Sequence, residues 1–257
     1  MKRSMSIILA LILILSVASC TFLDELLSVN LFAESMELNA SDVQTLSIRE
    51  LLDKSDSNAF YKIVEDDPDI KPALLGRTAA IIDPESPTEY SASEIQEAGV
   101  LGATVIINTS PAGDLLANTT ALANGLPDNP TMEDLLDLLL PSTVYSNDEL
   151  VEDSFVAMIN AFVEADTYYQ AIGTSLETTT LVAGASAGDL AVGAYLAAVI
   201  TTVDKLSYDT IGDYLYAVLT VEGEDAPDFT APDTDLAEYS YLAAILDAAK
   251  IGDLLNL

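Results

Sequence analysis

The chain contains no histidine and no tryptophan, one cysteine at position 20, and 9 basic residues against 42 acidic ones. Each shortage excludes something. Without histidine, no Ser–His–Asp relay can take a serine proton. A zinc or copper centre built on imidazole and thiolate lacks its usual donors. A lone cysteine cannot form an intramolecular disulfide. The formal net charge of −33 repels nucleic acid and anionic lipid headgroups. There is no phosphate-cradling glycine loop, and neither a Gly-Gly nor an Asp-Gly pair occurs. No cofactor is implied.

What is present begins at the N-terminus. Lys2 and Arg3 precede an apolar run from Ile7 to Leu15, which closes on Val17-Ala18-Ser19-Cys20. The run is shorter than the ~20 apolar residues of a membrane span. A charged start, a short apolar middle and small residues at the end read as a removable signal. The arrangement resembles the signal peptide of bacterial lipoproteins, with Val17-Ala18-Ser19-Cys20 as lipobox. The resemblance implies residues 1–19 as signal, cleavage before Cys20 and acylation of that residue. Two or more acyl chains anchor stably where one is marginal. The implied partner is a membrane, reached through the lipid on Cys20, with the body on the extracytoplasmic face of a cell membrane or outer membrane. Thr21, where no Asp stands, favours the outer membrane by resemblance to one sorting rule.

Residues 20–46 form the expected anchor segment. Phe22, Leu23, Leu26, Leu27, Leu31 and Phe32 recur at near-helical spacing, and Asp24, Glu25 and Glu34 favour docking on the body over an anionic surface. Residues 47–257 form the expected acidic body, read as a single domain. Half the sequence is apolar, which supports a packed core rather than disorder.

Ser47/Glu50, Ser91/Glu94, Ser146/Glu149 and Thr174/Glu177 fit the capping-box pattern, and Thr131/Asp134 is a looser version. In that pattern a hydroxyl and an acid three residues later satisfy free backbone N–H groups. Helices are predicted near 47–55, 58–66, 70–83, 92–108, 113–124, 132–140, 147–171, 189–203, 209–221 and 234–255. The fold class is therefore all-α: an irregular multi-helix bundle or helical-repeat-like array of about ten helices. Val105-Ile106-Ile107 and Thr178–Val182 are β-branched enough to compete as strands. Gly-Asp-apolar steps at Gly113, Gly188, Gly212 and Gly252 read as a glycine ending one helix and an aspartate capping the next. They follow no fixed period, so no regular solenoid is indicated. Leu181–Val203 carries one charge, Asp189, and reads as a buried helical stretch broken at Gly188-Asp189.

The sharpest catalytic motif is Gly184-Ala185-Ser186-Ala187-Gly188, a G-x-S-x-G string. From Val182 through Ala198 the chain resembles the nucleophile turn of patatin-like phospholipases, which use a Ser–Asp dyad without histidine. The resemblance implies Ser186 as nucleophile on a turn between a strand at Thr178–Val182 and a helix from Leu190. The family's glycine-rich oxyanion loop and Asp-Gly pair have no counterpart, so Ser186 has no identified partner. Asp66, Asp67 and Asp69 lie in one acidic cluster, and Glu222 to Asp228 form another. Neither matches the D-x-[DN]-x-[DN]-G spacing of a calcium loop, so solvated loops are the expectation. Tyrosines gather late, and Tyr214, Tyr216 and Tyr241 are candidates to line a ligand pocket.

The leading expectation is a non-enzymatic, lipid-anchored module that contacts another envelope protein, including as a transport accessory. A solute-binding lipoprotein with a pocket between late helices is the alternative, and a Ser186 hydrolase the remote one. The acidity also suits a saline habitat, as a solvated surface.

The signal generates the first prediction. With the chain produced in a bacterial host and fed an alkyne-tagged palmitate, the mature protein takes up label at Cys20. Cys20→Ala lowers the labelling to background and releases the body from the membrane fraction. Undiminished labelling would contradict the lipobox.

Overall fold

The computed structural model describes residues 38–123, 132–183, 185–221, 226–227 and 239–249. These form α1 (Ala40–Thr45), α2 (Ile48–Ser55), α3 (Asn58–Asp66), α4 (Ile70–Ile82), α5 (Ala92–Asn108), α6 (Pro111–Ala123) and α7 (Met132–Leu139). A two-residue hairpin, β1 (Tyr145–Ser146) and β2 (Glu149–Leu150), precedes α8 (Glu152–Leu176), α9 (Ala187–Thr201), α10 (Ile211–Thr220) and α11 (Ser240–Ala248). The fold is all-α, as its capping pattern predicts. The expected signal, Cys20 and the stretch to Glu37 lie outside the described residues, as do Thr131, Glu222–Asp225, Asp228 and Gly252.

Helix α8 is the axis. Its 25 residues pack against α4, α5, α6, α9, α10 and α11. Phe155, Met158, Ile159, Phe162, Ala165, Tyr169 and Ile172 make one buried stripe at helical spacing, while Ala161, Tyr168 and Ser175 bury a second face. Solvent reaches a strip running along Ala157, Glu164, Thr167 and Thr174. Neighbours come close because glycines stand where they meet α8. A Cβ on Gly102 would lie 2.1 Å from the Tyr168 ring, and one on Gly193 2.1 Å from the Tyr169 hydroxyl. Gly173 receives the backbone of Tyr241 at the start of α11, where a Cβ would sit 2.3 Å from the Tyr241 carbonyl oxygen.

Buried polar groups pin the layers. Gln96 on α5 donates to Ser175 Oγ and Thr179 Oγ1 at 3.1 Å each and accepts from the Val182 N–H at 2.6 Å. A fully buried amide is thereby satisfied and holds the loop after α8. Tyr168 donates to the Leu75 carbonyl at 3.3 Å and accepts from Thr78 at 3.3 Å. The Arg77 guanidinium donates to the Val43 and Leu46 carbonyls, which α1 leaves unpaired at its end. Asn160 accepts from the Gly212 N–H and donates to Thr210, at 3.2 Å each, tying α8 to the start of α10.

Several expectations need correction. Residues 40–46 belong to the body: Val43 is fully buried and α1 packs on α4. Its capping box, Asn39/Asp42, marks a helix absent from the predicted set. Ser47/Glu50 and Ser91/Glu94 form full capping boxes, but Ser146/Glu149 does not. Those two residues pair across the hairpin, because Asn147 and Asp148 adopt φ of 52° and 63°, the left-handed pair of a tight hairpin turn. Thr174/Glu177 caps nothing; α8 runs through Thr174 and ends at Leu176. Val105-Ile106-Ile107 is helical and buried in α5, since packing on α8 outweighs β-branched preference. Thr178–Val182 is a loop, not a strand. At Gly113, Gly188 and Gly212 the glycine sits inside the first helical turn and ends no helix. Helix α9 runs through Gly188-Asp189, and its break lies before Ala187. Among the described residues no single helix is long and apolar enough to cross a membrane.

Two glycine-to-alanine substitutions should act in opposite directions. Gly173→Ala overpacks the α8–α11 contact and costs about 1–3 kcal/mol. Gly76→Ala, mid-helix with nothing within 4 Å of the added Cβ, gains about 0.5–1 kcal/mol. Urea unfolding of both variants beside the parent checks the pair.

Candidate functional site

Where α2, α3, α5, α6 and α9 meet one flank of α8, they line a cavity of about 290 Å³ that is partly open to solvent. That is near the lower end of ligand-site volumes, roughly 300–1,000 Å³. Its apolar wall includes Leu52, Val100, Ile107, Leu116 and Leu190. Its polar groups are Ser55, Asp56, Asn58, Tyr61, Thr104, Asn108, Tyr169, Ser186 and Asp189.

Local sequence explains the placement. Ser57 caps α3, accepting from the Ala59 N–H at 3.2 Å, and joins Asp56 at the end of α2 to the helix that carries Tyr61; both line the cavity. Gly113 lets the first turn of α6 abut the end of α5, since a Cβ there would lie 3.0 Å from the Asn108 Cα. The two helices consequently bend by 96° at their junction. Ser186 is the N-cap of α9 and accepts from the Asp189 N–H at 3.3 Å. That cap holds Asp189 in the first turn, where a carboxylate is favoured by the helix dipole.

Tyr169 is the unusual member. Its residue is 2% exposed, and its hydroxyl has no hydrogen-bond partner among the described residues. The Tyr169 side chain lines the cavity, and its hydroxyl stands against α9, where a Cβ on Gly193 would lie 2.1 Å away. Burial pushes the phenol well up from its ordinary range, and the Asp189 and Asp166 charges push the same way. Burial also raises the Asp189 carboxyl, opposed by the Ser186 hydroxyl. Asp56 is raised by burial and by Asp53, with Arg49 opposing. Arg49 is itself engaged, 3.0 Å from Asp53 and 4.0 Å from Glu97. Tyr61 is raised by burial, while Thr104, Ser55 and Asn108 act against it. Among the described residues no lysine or arginine lines the cavity.

The candidates named from sequence are dispersed. Ser186 reaches the cavity, exposed, as a helix cap; it follows a loop rather than a strand, and Gly184 lies outside the described residues. Tyr214, Tyr216 and Tyr241 do not line this cavity. Tyr214 is 2% exposed, with its ring 5.6 Å from Tyr208. Tyr216 sits 6.2 Å from Phe155. Tyr241 donates to Asp166 at 2.7 Å, and Gln170 donates to the same carboxylate at 2.7 Å. Asp66 ends α3, and Asp67 accepts from the Asp69 N–H at 3.0 Å as a local turn. Among the described residues no three acidic or cysteine side chains converge on a metal position. Cys20 lies outside the described residues.

Tyr61, Tyr169, Asp56 and Asp189 escaped the sequence reading as site residues. Asp189 registers there as a helix cap, and Tyr169 as one of a late tyrosine group. Consecutive helical residues point about 100° apart, so the pair Tyr168-Tyr169 must serve two faces; that was the available signal.

Comparison with known protein families, characterised proteins and solved structures gives no match to this chain.

The raised Asp189 carboxyl yields a signed pH dependence. An acid whose folded value exceeds its unfolded value holds extra protons in the folded state between the two. Its contribution to stability therefore falls as pH rises through that window. The parent should gain stability relative to Asp189→Asn on acidification from neutral pH toward the ordinary aspartate value. Paired urea midpoints at several pH values check this; a difference that moves the other way would contradict the burial of Asp189.

Proposed function

We propose that this chain is a lipid-anchored, extracytoplasmic protein that holds a small solute in the cavity beside α8. The observation that carries the reading is the Tyr169 hydroxyl, on a residue 2% exposed and without a hydrogen-bond partner among the described residues, at a cavity of about 290 Å³. Buried polar groups are normally hydrogen-bonded, and a solute with a polar head supplies what the fold omits. The mixed lining, mostly hydrocarbon with a few converging polar groups, is the usual composition of a small-molecule site. The lipobox resemblance supports anchoring through Cys20. The lack of histidine and the engagement of Ser186 as a helix cap support binding rather than turnover. Such a holder would act beside an envelope protein partner, as a transport accessory does.

Native mass spectrometry of the full-length chain, purified from membranes of cells that produce it, tests the reading. Ala117 is an exposed cavity-lining residue on α6, so Ala117→Phe narrows the mouth without touching the core. The parent should carry a non-covalent small molecule that dissociates on denaturation, and Ala117→Phe should carry less than a tenth as much. An equal adduct on both proteins, or none on the parent, would count against the cavity as the site.

A further inference from the structure

The charge around the cavity is of one sign. Asp189 lies in the first turn of α9 and Asp56 at the rim between α2 and α3, and both are lining residues. Neither carboxylate faces a lysine or arginine within the lining. Arg49, whose charge acts on Asp56, is itself engaged by Asp53 and Glu97. The Tyr169 hydroxyl between the helices is unpartnered among the described residues and stands close over Gly193, where a Cβ would be 2.1 Å away. A side chain on that face of α9 would displace the hydroxyl, so the glycine keeps it in place. The lining also includes the hydrocarbon side chains of Val100, Ile107 and Leu190.

We propose that the cavity takes a small organic cation, an ammonium-bearing solute whose N–H groups meet Asp189 and the Tyr169 hydroxyl and whose hydrocarbon body lies against Val100, Ile107 and Leu190. This rests on the solute-binding reading given above and names its ligand class. An ammonium group brings donors and no acceptor, which suits a site whose ionisable groups are carboxylates and phenols. A partly desolvated carboxylate is costly unless paired, and a cationic solute is a counter-ion that no described lysine or arginine of the lining supplies. A bare divalent ion fits less well. Calcium takes six to eight oxygen ligands, no three acidic side chains converge among the described residues, and a hydrocarbon wall offers a metal nothing. An anionic solute would meet two carboxylates and no cation.

Calorimetric titration of the full-length chain with three probes of one shape tests the assignment: n-butylammonium, n-butanol and butyrate. Saturable binding is expected for n-butylammonium, at least ten-fold tighter than for n-butanol, with none for butyrate. Asp189→Asn should abolish the ten-fold preference while leaving n-butanol unchanged. Asp56→Asn, on an exposed loop where folding is not at stake, should reduce the preference by a smaller factor. Ala117→Phe should weaken every probe that binds. Butyrate binding as tightly as n-butylammonium, or a preference that survives both aspartate substitutions, overturns the cation assignment. Sensitivity to Ala117→Phe in that case leaves the solute-binding reading standing. Failure of all three probes to bind the parent overturns both.

Discussion

A helix that is apolar on two faces must be covered on both, and in this protein that helix is α8. Its side chains reach outward at consecutive positions, so its neighbours cannot all keep an ordinary interaxial distance of about 8–10 Å. Glycine resolves the conflict at the tightest contacts. Gly102 on α5 admits the Tyr168 ring, Gly193 on α9 admits the Tyr169 hydroxyl, and Gly173 on α8 itself admits the backbone of α11. Close packing of this kind leaves little volume unfilled, which gives the unfilled volume beside Tyr169 its meaning.

The two adjacent tyrosines divide the molecule's chemistry. Tyr168 is satisfied: its hydroxyl bonds to Leu75 and Thr78, closing α4 onto the axis. Tyr169 points about 100° away along the helix and receives no such closure from the described residues. Three independent local devices converge on it: the Ser57 cap that sets Asp56 and Tyr61, the Gly113 turn that folds α6 back beside α5, and the Ser186 cap that presents Asp189. None of the three requires the cavity for its own stability, yet together they frame it with both polar and hydrocarbon side chains. The chain's excess of acid reaches the cavity lining through Asp56 and Asp189.

Local signals in the sequence were reliable where the backbone decides for itself. The boxes at Ser47/Glu50 and Ser91/Glu94 mark helix starts because they satisfy nearby N–H groups within one turn. They failed where a competing local or tertiary preference was stronger. Asn147-Asp148 tolerates left-handed backbone and makes a hairpin of a stretch that reads as a helix start. Packing against α8 keeps Val105-Ile106-Ile107 helical and carries α8 past Thr174. The site was hardly legible at all. Asp56, Tyr61, Tyr169 and Asp189 come from separate elements, and their meeting depends on helix-to-helix distances that glycines set. The late tyrosines cluster in sequence but not in one site: Tyr214 packs in the core and Tyr241 anchors to Asp166.

The central claim is that the Tyr169 hydroxyl is left open for a solute. Labelling the tyrosine ring carbons and following the Tyr169 resonance during titration with n-butylammonium tests it most directly, with Tyr214 as an internal reference. The account predicts a saturable shift at Tyr169 with Tyr214 unmoved. A Tyr169 resonance that stays fixed at saturating probe, or that moves in step with Tyr214, would contradict it.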